Sequence, residues 1–209
     1  MTASKRSRVD EAHVRELNAV VRSLRVAADG VDRFVPWFDP DSGGVGSRVL
    51  VLMESPGPRT VAAGDLGFSS EDNQDPTAAA LREARVASGL PRSAYLRWNV
   101  VPWPVYDGDG RRRPPTVADL DEARPALNAV LGLLPGLELV VAVGAPALNG
   151  IMRLLTSAPD EPDEPGEPGG VTRLPRVLGV PHPSPRNAHD RVESRARLRR
   201  ALTALTRVP

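Results

Sequence analysis

Apolar positions recur at helical spacing between Asp10 and Ala28, where Val14, Leu17, Val20, Val21, Leu24 and Ala28 fall on one face. This predicts a helix that ends near Gly30. Val35 to Gly46 is punctuated by Pro and Gly and reads as a loop. Arg48–Met53 (RVLVLM) is a continuous apolar run, the pattern of a strand covered on both faces. A long polar stretch follows from Glu54 to Asp75, with Pro56, Gly57, Pro58, Gly64 and Gly67; loops of this length tend to be functional or disordered. The pattern then predicts a helix over Pro76–Ser88, a strand over Tyr95–Val101 (YLRWNVV) and an amphipathic helix over Val117–Leu134. Leu137–Val143 (LELVVAV) reads as a buried strand, and Gly144 opens a helix through about Leu155. Arg176–Val180 is the last strand, with Val177–Val180 read as its buried end, and Ala188–Leu205 the last helix.

Strands alternating with helices predict an α/β fold, with a parallel sheet covered by helices on both faces. The 209 residues suit one domain, with a basic N-terminal tail over 1–8 and an acidic, disordered loop over 157–170. That loop carries five acids and no base, so the net charge of +1 leaves the rest of the chain six charges positive. Seven Arg between Arg186 and Arg207 face only Asp190 and Glu193, a field suited to a polyanion or, more blandly, a solvated helix face. With no cysteine, disulfides, zinc–thiolate sites and iron–sulfur clusters are excluded, and three histidines make a His-rich metal site a poor expectation. No metal and no cofactor is expected. No apolar run is long enough to span a bilayer and none follows the basic N-terminus, so a cytoplasmic monomer without membrane contact is expected.

In parallel α/β sheets, sites form outside the carboxyl ends of the strands. Here those ends are Glu54-Ser55-Pro56-Gly57, Asn99-Val100-Val101-Pro102, Gly144-Ala145-Pro146 and His182-Pro183-Ser184-Pro185, which converge on one rim. In Pro181–Asn187 the prolines stiffen the loop and set the directions of its His and Arg.

Those segments, in this order, resemble the uracil-DNA glycosylase superfamily. Met53-Glu54-Ser55-Pro56-Gly57 stands where members carry G-x-[D/N/A]-P-[Y/G], and Gly67-Phe68-Ser69-Ser70 where they carry an aromatic in a G-x-x-F-S or G-x-P-F context. Trp98-Asn99-Val100-Val101 is similar to the N-V-V of the iron–sulfur bacterial branch. His182-Pro183-Ser184-Pro185-Arg186-Asn187 is similar to the H-P-S segment of the single-strand-selective monofunctional branch. The likeness runs from about Arg48 to the C-terminus. Ser55 stands where the most active members have Asp or Asn, with Glu54 beside it as in the G-E-A-P-G branch. Met53 replaces a Gly, and the cysteines of that branch are missing. The sequence mixes branches.

The resemblance implies a three-layer α/β/α fold with a central, mainly parallel four-stranded sheet. It also implies a monofunctional DNA glycosylase that flips uracil or a related modified pyrimidine out of DNA, hydrolyses its N-glycosidic bond and leaves an abasic site. His182 would donate to a base carbonyl oxygen as charge grows on it, a contribution of about 3 kcal/mol. Asn99 would read the base edge through its donor and acceptor. Phe68 would stack on the base, and Gly57 would leave the C5 side open where narrow-specificity members carry Tyr. Either Glu54 or Ser55 would handle the water. Pro56 would lie on the DNA-facing loop, Ser184 would hold a flanking phosphate, Arg186 would fill the vacated stack, and Asn187 would cap the last helix.

Each residue has a structural alternative: a turn-capping His182, a strand-tying Asn99, a core Phe68, and a Glu54 that accepts from its own loop. Arg111, Arg112 and Arg113 read as a solvated loop, with phosphate contacts as the alternative, and His189 as an exposed helix residue. The only lysine, Lys5, is in no motif, which argues against a Schiff-base lyase step. Two other functions stay open: a glycosylase for another modified or deaminated base, in repair or defence, and a catalytically weak base-flipping DNA-binding protein. A generic α/β hydrolase lacks its G-x-S-x-G turn here.

Overall fold

The computed structural model describes residues 2–26, 30, 32–157, 174–183 and 191–206. The helices are α1 (Thr2–Arg6), α2 (Arg15–Leu24), α3 (Pro58–Ala62), α4 (Pro76–Ala87), α5 (Val117–Gly132), α6 (Ala145–Thr156) and α7 (Arg191–Thr206). The strands are β1 (Trp37–Phe38), β2 (Val49–Met53), β3 (Phe68–Ser69), β4 (Tyr95–Asn99), β5 (Leu139–Val143) and β6 (Arg176–Val180). Four strands form one all-parallel sheet in the order β4-β2-β5-β6, and β1 pairs with β3 in a separate parallel ribbon.

The apolar run of β2 has no polar position because both of its faces are covered. Successive strand residues point to opposite sides. Val49, Val51 and Met53 pack with Leu139, Val141 and Val143 against Leu81 of α4 and Leu198 and Leu202 of α7. Leu50 and Leu52 pack with Val140 and Ala142 against Leu17 of α2, Leu127 of α5 and Ile151 of α6. The result is a three-layer α/β/α fold. β6 lies at the edge, where only Val180 is buried and Leu178 stays 37% exposed, so its buried end is a single residue.

Local chemistry sets the helix starts. Asp75 caps α4 by accepting from the Thr77 and Ala78 amides, and Pro76 takes the first helical position, where its missing N–H is not needed. Thr116 and Asp119 form a capping box on α5. α2 is shorter than the apolar spacing predicts: Asn18 donates to the Val9 carbonyl and accepts from the Phe38 amide, which fixes the preceding residues in turns. The segment read as a loop over Val35–Gly46 contains β1, whose Phe38 stacks on Trp98 of β4 at 4.0 Å. The polar stretch Glu54–Asp75 contains α3 and β3.

The first eight residues, read as a tail, hold α1, and Lys5 is buried. Its ammonium lies 2.8 Å from Asp39, 3.1 Å from Asp41 and 2.6 Å from Asp72. Arg92 joins Asp39 at 2.7 Å and Asp72 at 2.6 Å. The three carboxylates are spaced to hold a cation, and the Lys5 ammonium is that cation. Burial alone would lower the Lys5 pKa, but the Asp39 charge and the hydrogen bonds to all three aspartates leave it raised.

β2 sits between β4 and β5, so the chain moves outward to β4, crosses back to β5 and continues to β6. The crevice at the carboxyl ends of β2 and β5 is therefore the topological switch point.

Candidate active site

Strand register builds the rim. Met53 pairs with Asn99, the Val100 amide donates to the Met53 carbonyl (2.8 Å) and the Val101 amide to the Glu54 carbonyl (3.1 Å). Glu54 therefore leaves β2 level with the end of β4. On the other side, the Gly144 amide donates to the Val180 carbonyl at 2.8 Å. Gly144 opens α6 at φ 91°, a left-handed conformation suited to glycine, and a Cβ there would lie 3.6 Å from the His182 Cβ. The ends of β4, β2, β5 and β6 thus share one edge of the sheet, while Ser184 and Pro185 of the fourth segment lie outside the described residues.

Asn99 shares strand parity with Tyr95, which places it on the α4 side of the sheet. The residue is 4% exposed. An amide at this position offers a donor and an acceptor to a ligand at the rim. His182 is partly buried. Burial, and then the Arg97 charge, push its pKa below the ordinary 6.5 against the opposing pull of Asp75. Both effects favour the neutral imidazole. Arg97 donates from Nη1 to the Ser70 carbonyl at 2.8 Å, while its buried Nε has no partner.

The first-motif loop is held from outside. The Arg112 guanidinium donates to Ser55 Oγ at 3.3 Å and to the Pro56 carbonyl. Pro56 is buried, and Glu54 and Ser55 are half-buried. Gly57 is exposed in extended backbone, and a Cβ there meets nothing within 4 Å. Phe68 is placed differently from the rest: it pairs with Trp37 and its ring is 1% exposed in the core. A base could stack on it only if that ring were uncovered. A separate cavity of about 500 Å³, lined by Arg59, Thr60, Phe68, Asn73 and Arg82, includes neither Asn99 nor His182. Ser184, Arg186 and Asn187 lie outside the described residues, as do His189 and all but Ser157 of the acidic segment.

Sequence reasoning missed Arg97, Asp75 and the contact made by Arg112. Arg97 carried a signal, as the one charge inside the run YLRWN; Asp75 carried another, as an Asp before a helix-opening Pro. Arg112 reaches Ser55 across 57 residues and carried none.

The fold and site define a three-layer parallel α/β protein whose polar groups gather at the switch point of its sheet. No helix among the described residues is long and apolar enough to cross a membrane. The family model of the uracil DNA glycosylase superfamily matches residues 40–206, and the chain belongs to that superfamily, whose members are DNA glycosylases. No curated protein matches the chain at a significant level.

Proposed function

We propose that the protein is a monofunctional DNA glycosylase that removes uracil, or a pyrimidine substituted at C5, and leaves an abasic site. The observation that carries this reading is that Asn99, at the end of β4, and His182, beyond the end of β6 and beside Gly144, reach the same rim as the Glu54–Gly57 loop, with burial of His182 favouring its neutral form. An amide offers a donor and an acceptor, which suit the O4 and N3–H of uracil; held in that orientation it mismatches the cytosine edge. A neutral imidazole still donates one N–H to the second carbonyl oxygen as charge develops there.

The reaction breaks the bond between the sugar C1′ and the base nitrogen, whose electron pair leaves with the base. Water adds to C1′ and gives up a proton. Arg112 donates to Ser55 Oγ, so the hydroxyl faces a cation and is a poor proton acceptor. This supports Glu54 as the acceptor and Ser55 as a positioning group. The open space at Gly57 supports tolerance of C5 substituents. Lys5, the only lysine, is buried and paired with three aspartates, which supports a reaction without a lysine Schiff base.

The test is alkaline strand cleavage of oligonucleotides carrying one uracil, single-stranded and opposite guanine, with wild type, His182→Ala and Asn99→Ala. Cleavage that depends on uracil and falls steeply in both variants is expected. Absence of cleavage on uracil and on a panel of C5-modified pyrimidines, with DNA still bound, would overturn the reading in favour of a non-catalytic binder.

A further inference from the structure

The segment after Asn99 folds back over the first-motif loop. Tyr106 and Arg112 form an antiparallel bridge, and the Asp107 amide donates to the Arg111 carbonyl at 2.8 Å. Asp107 Oδ1 accepts from the Asp109 and Arg111 amides at 3.0 and 2.8 Å, which orders the turn. At the base of the hairpin Arg113 pairs with Asp119, the carboxylate that completes the capping box of α5. The hairpin is thus fastened to a helix start, and its three consecutive arginines have three different surroundings. Arg111 is 80% exposed and touches only the equally exposed Asp109 at 3.6 Å. Arg113 is used on Asp119. Arg112 lies 6.0 Å from the centre of the Tyr106 ring and turns inward to Ser55 Oγ and the Pro56 carbonyl.

Among the described residues, these are the only long-range hydrogen bonds to residues 55–57; the remaining one, from the Val61 amide to the Gly57 carbonyl, is local to α3. We propose that Arg112 is a positioning residue, holding the Ser55–Pro56 turn, and through it the Glu54 carboxylate, in register with the end of β4. This rests on the reading of the rim as a glycosylase site. A guanidinium suits this role, because Nη2 donates to both the hydroxyl and the carbonyl while the group stays charged at any working pH.

The test compares Arg112→Ala, Arg112→Lys and Arg111→Ala. For Arg112→Ala the single-turnover rate is expected to fall about 100-fold, the order of loss from a small misplacement of reacting groups. DNA affinity and its salt slope are expected to stay at wild-type values, and Arg112→Lys to recover part of the rate. Arg111→Ala is expected to lower the salt slope by about one phosphate contact. Hydrogen exchange supplies a readout free of turnover: the amides of residues 55–61 should exchange about tenfold faster in Arg112→Ala, with those of β2 unchanged. Weakened binding with an intact rate, or exchange at 55–61 equal to wild type, overturns the proposal. Should the wild type turn over no base, the exchange result still decides the role of Arg112 separately from the function of the rim.

Discussion

The loop from Ser70 to Asp75 joins two clusters of buried polar groups of opposite character. On its α1 side, Lys5, Arg92, Asp39, Asp41 and Asp72 satisfy one another at 2.6–3.1 Å, and Ser70 donates to Asp39. On its sheet side, Asn99 is 4% exposed at the end of its strand, Arg97 leaves its buried Nε unpaired, and burial and the Arg97 charge push the His182 pKa below its ordinary value. The same loop serves both: the Ser70 hydroxyl belongs to the first cluster, its carbonyl takes Arg97 of the second, and Asp75 acts on His182. A satisfied charge cluster fixes a structure. A buried donor left unpaired, as Arg97 Nε is, is retained at a cost, and a ligand that completes it justifies that cost. The first cluster is where mutations should cost stability, and the second is where they should cost activity.

The largest expected effect falls on the first cluster. Lys5→Met removes the cation that three aspartates enclose and leaves Arg92 to balance them. Breaking a buried pair from one side typically costs about 3–5 kcal/mol. In denaturant the variant should lose that much, and its melting temperature should fall by roughly 10 °C. Its rate per folded molecule should be that of wild type. A loss below about 1 kcal/mol, the range of surface pairs, would show that the cluster is not a structural anchor.

The converse holds at the rim. His182→Ala and Asn99→Ala should lower the single-turnover rate by about 10²–10³, the order expected for removing a preorganised donor. Melting temperatures should stay within about 2 °C of wild type, because neither side chain belongs to either apolar core cluster. Equal loss of stability and rate would make both residues structural.

The two clusters were not equally legible in the sequence. The rim was readable because a parallel sheet forces strand ends together: VLVLM and LVVAV announced strands buried on both faces, and the residues after each run had to share an edge. The Lys5 cluster was not. Its aspartates lie 34 and more residues away, and a lysine among Arg6 and Arg8 near the N-terminus reads as solvated charge until those partners are in place. β1 and β3 were missed because two residues give no period to detect, and they pair only with each other. Phe68 shows the limit of motif reading: its sequence context places it near the rim, but packing against Trp37 and its neighbours decides how much of its ring is exposed.

A smaller effect concerns which base the rim accepts. Gly57 has ordinary extended backbone and open space around it, so Gly57→Tyr should fold. It should raise the ratio of rates on uracil to 5-hydroxymethyluracil by about tenfold or more, the scale on which a filled pocket rejects added atoms. An unchanged ratio would show that the space at Gly57 lies away from C5.

The smallest effect is electrostatic and separates the clusters by pH. Asp72 sits at about 2: burial tends to raise it, and the hydrogen bonds from Arg92 and Lys5 outweigh that. A depressed carboxylate contributes stability that is complete above its unfolded value and lost as pH falls toward the folded one, so the first cluster should weaken only below about pH 4. His182 is also depressed, but it is a base: the unfolded chain protonates first, and folding loses stability as pH drops below the ordinary 6.5 toward the lower folded value. The rim should thus yield to acid before the Lys5 cluster does. Following the imidazole of His182 by NMR should give a midpoint below 6.5, and Arg97→Gln should move it upward by removing the neighbouring cation that helps hold it down. A His182 midpoint at or above 6.5 in the wild type, or one that Arg97→Gln leaves in place, would mean that the sheet side of the loop is hydrated and not built to keep a neutral donor.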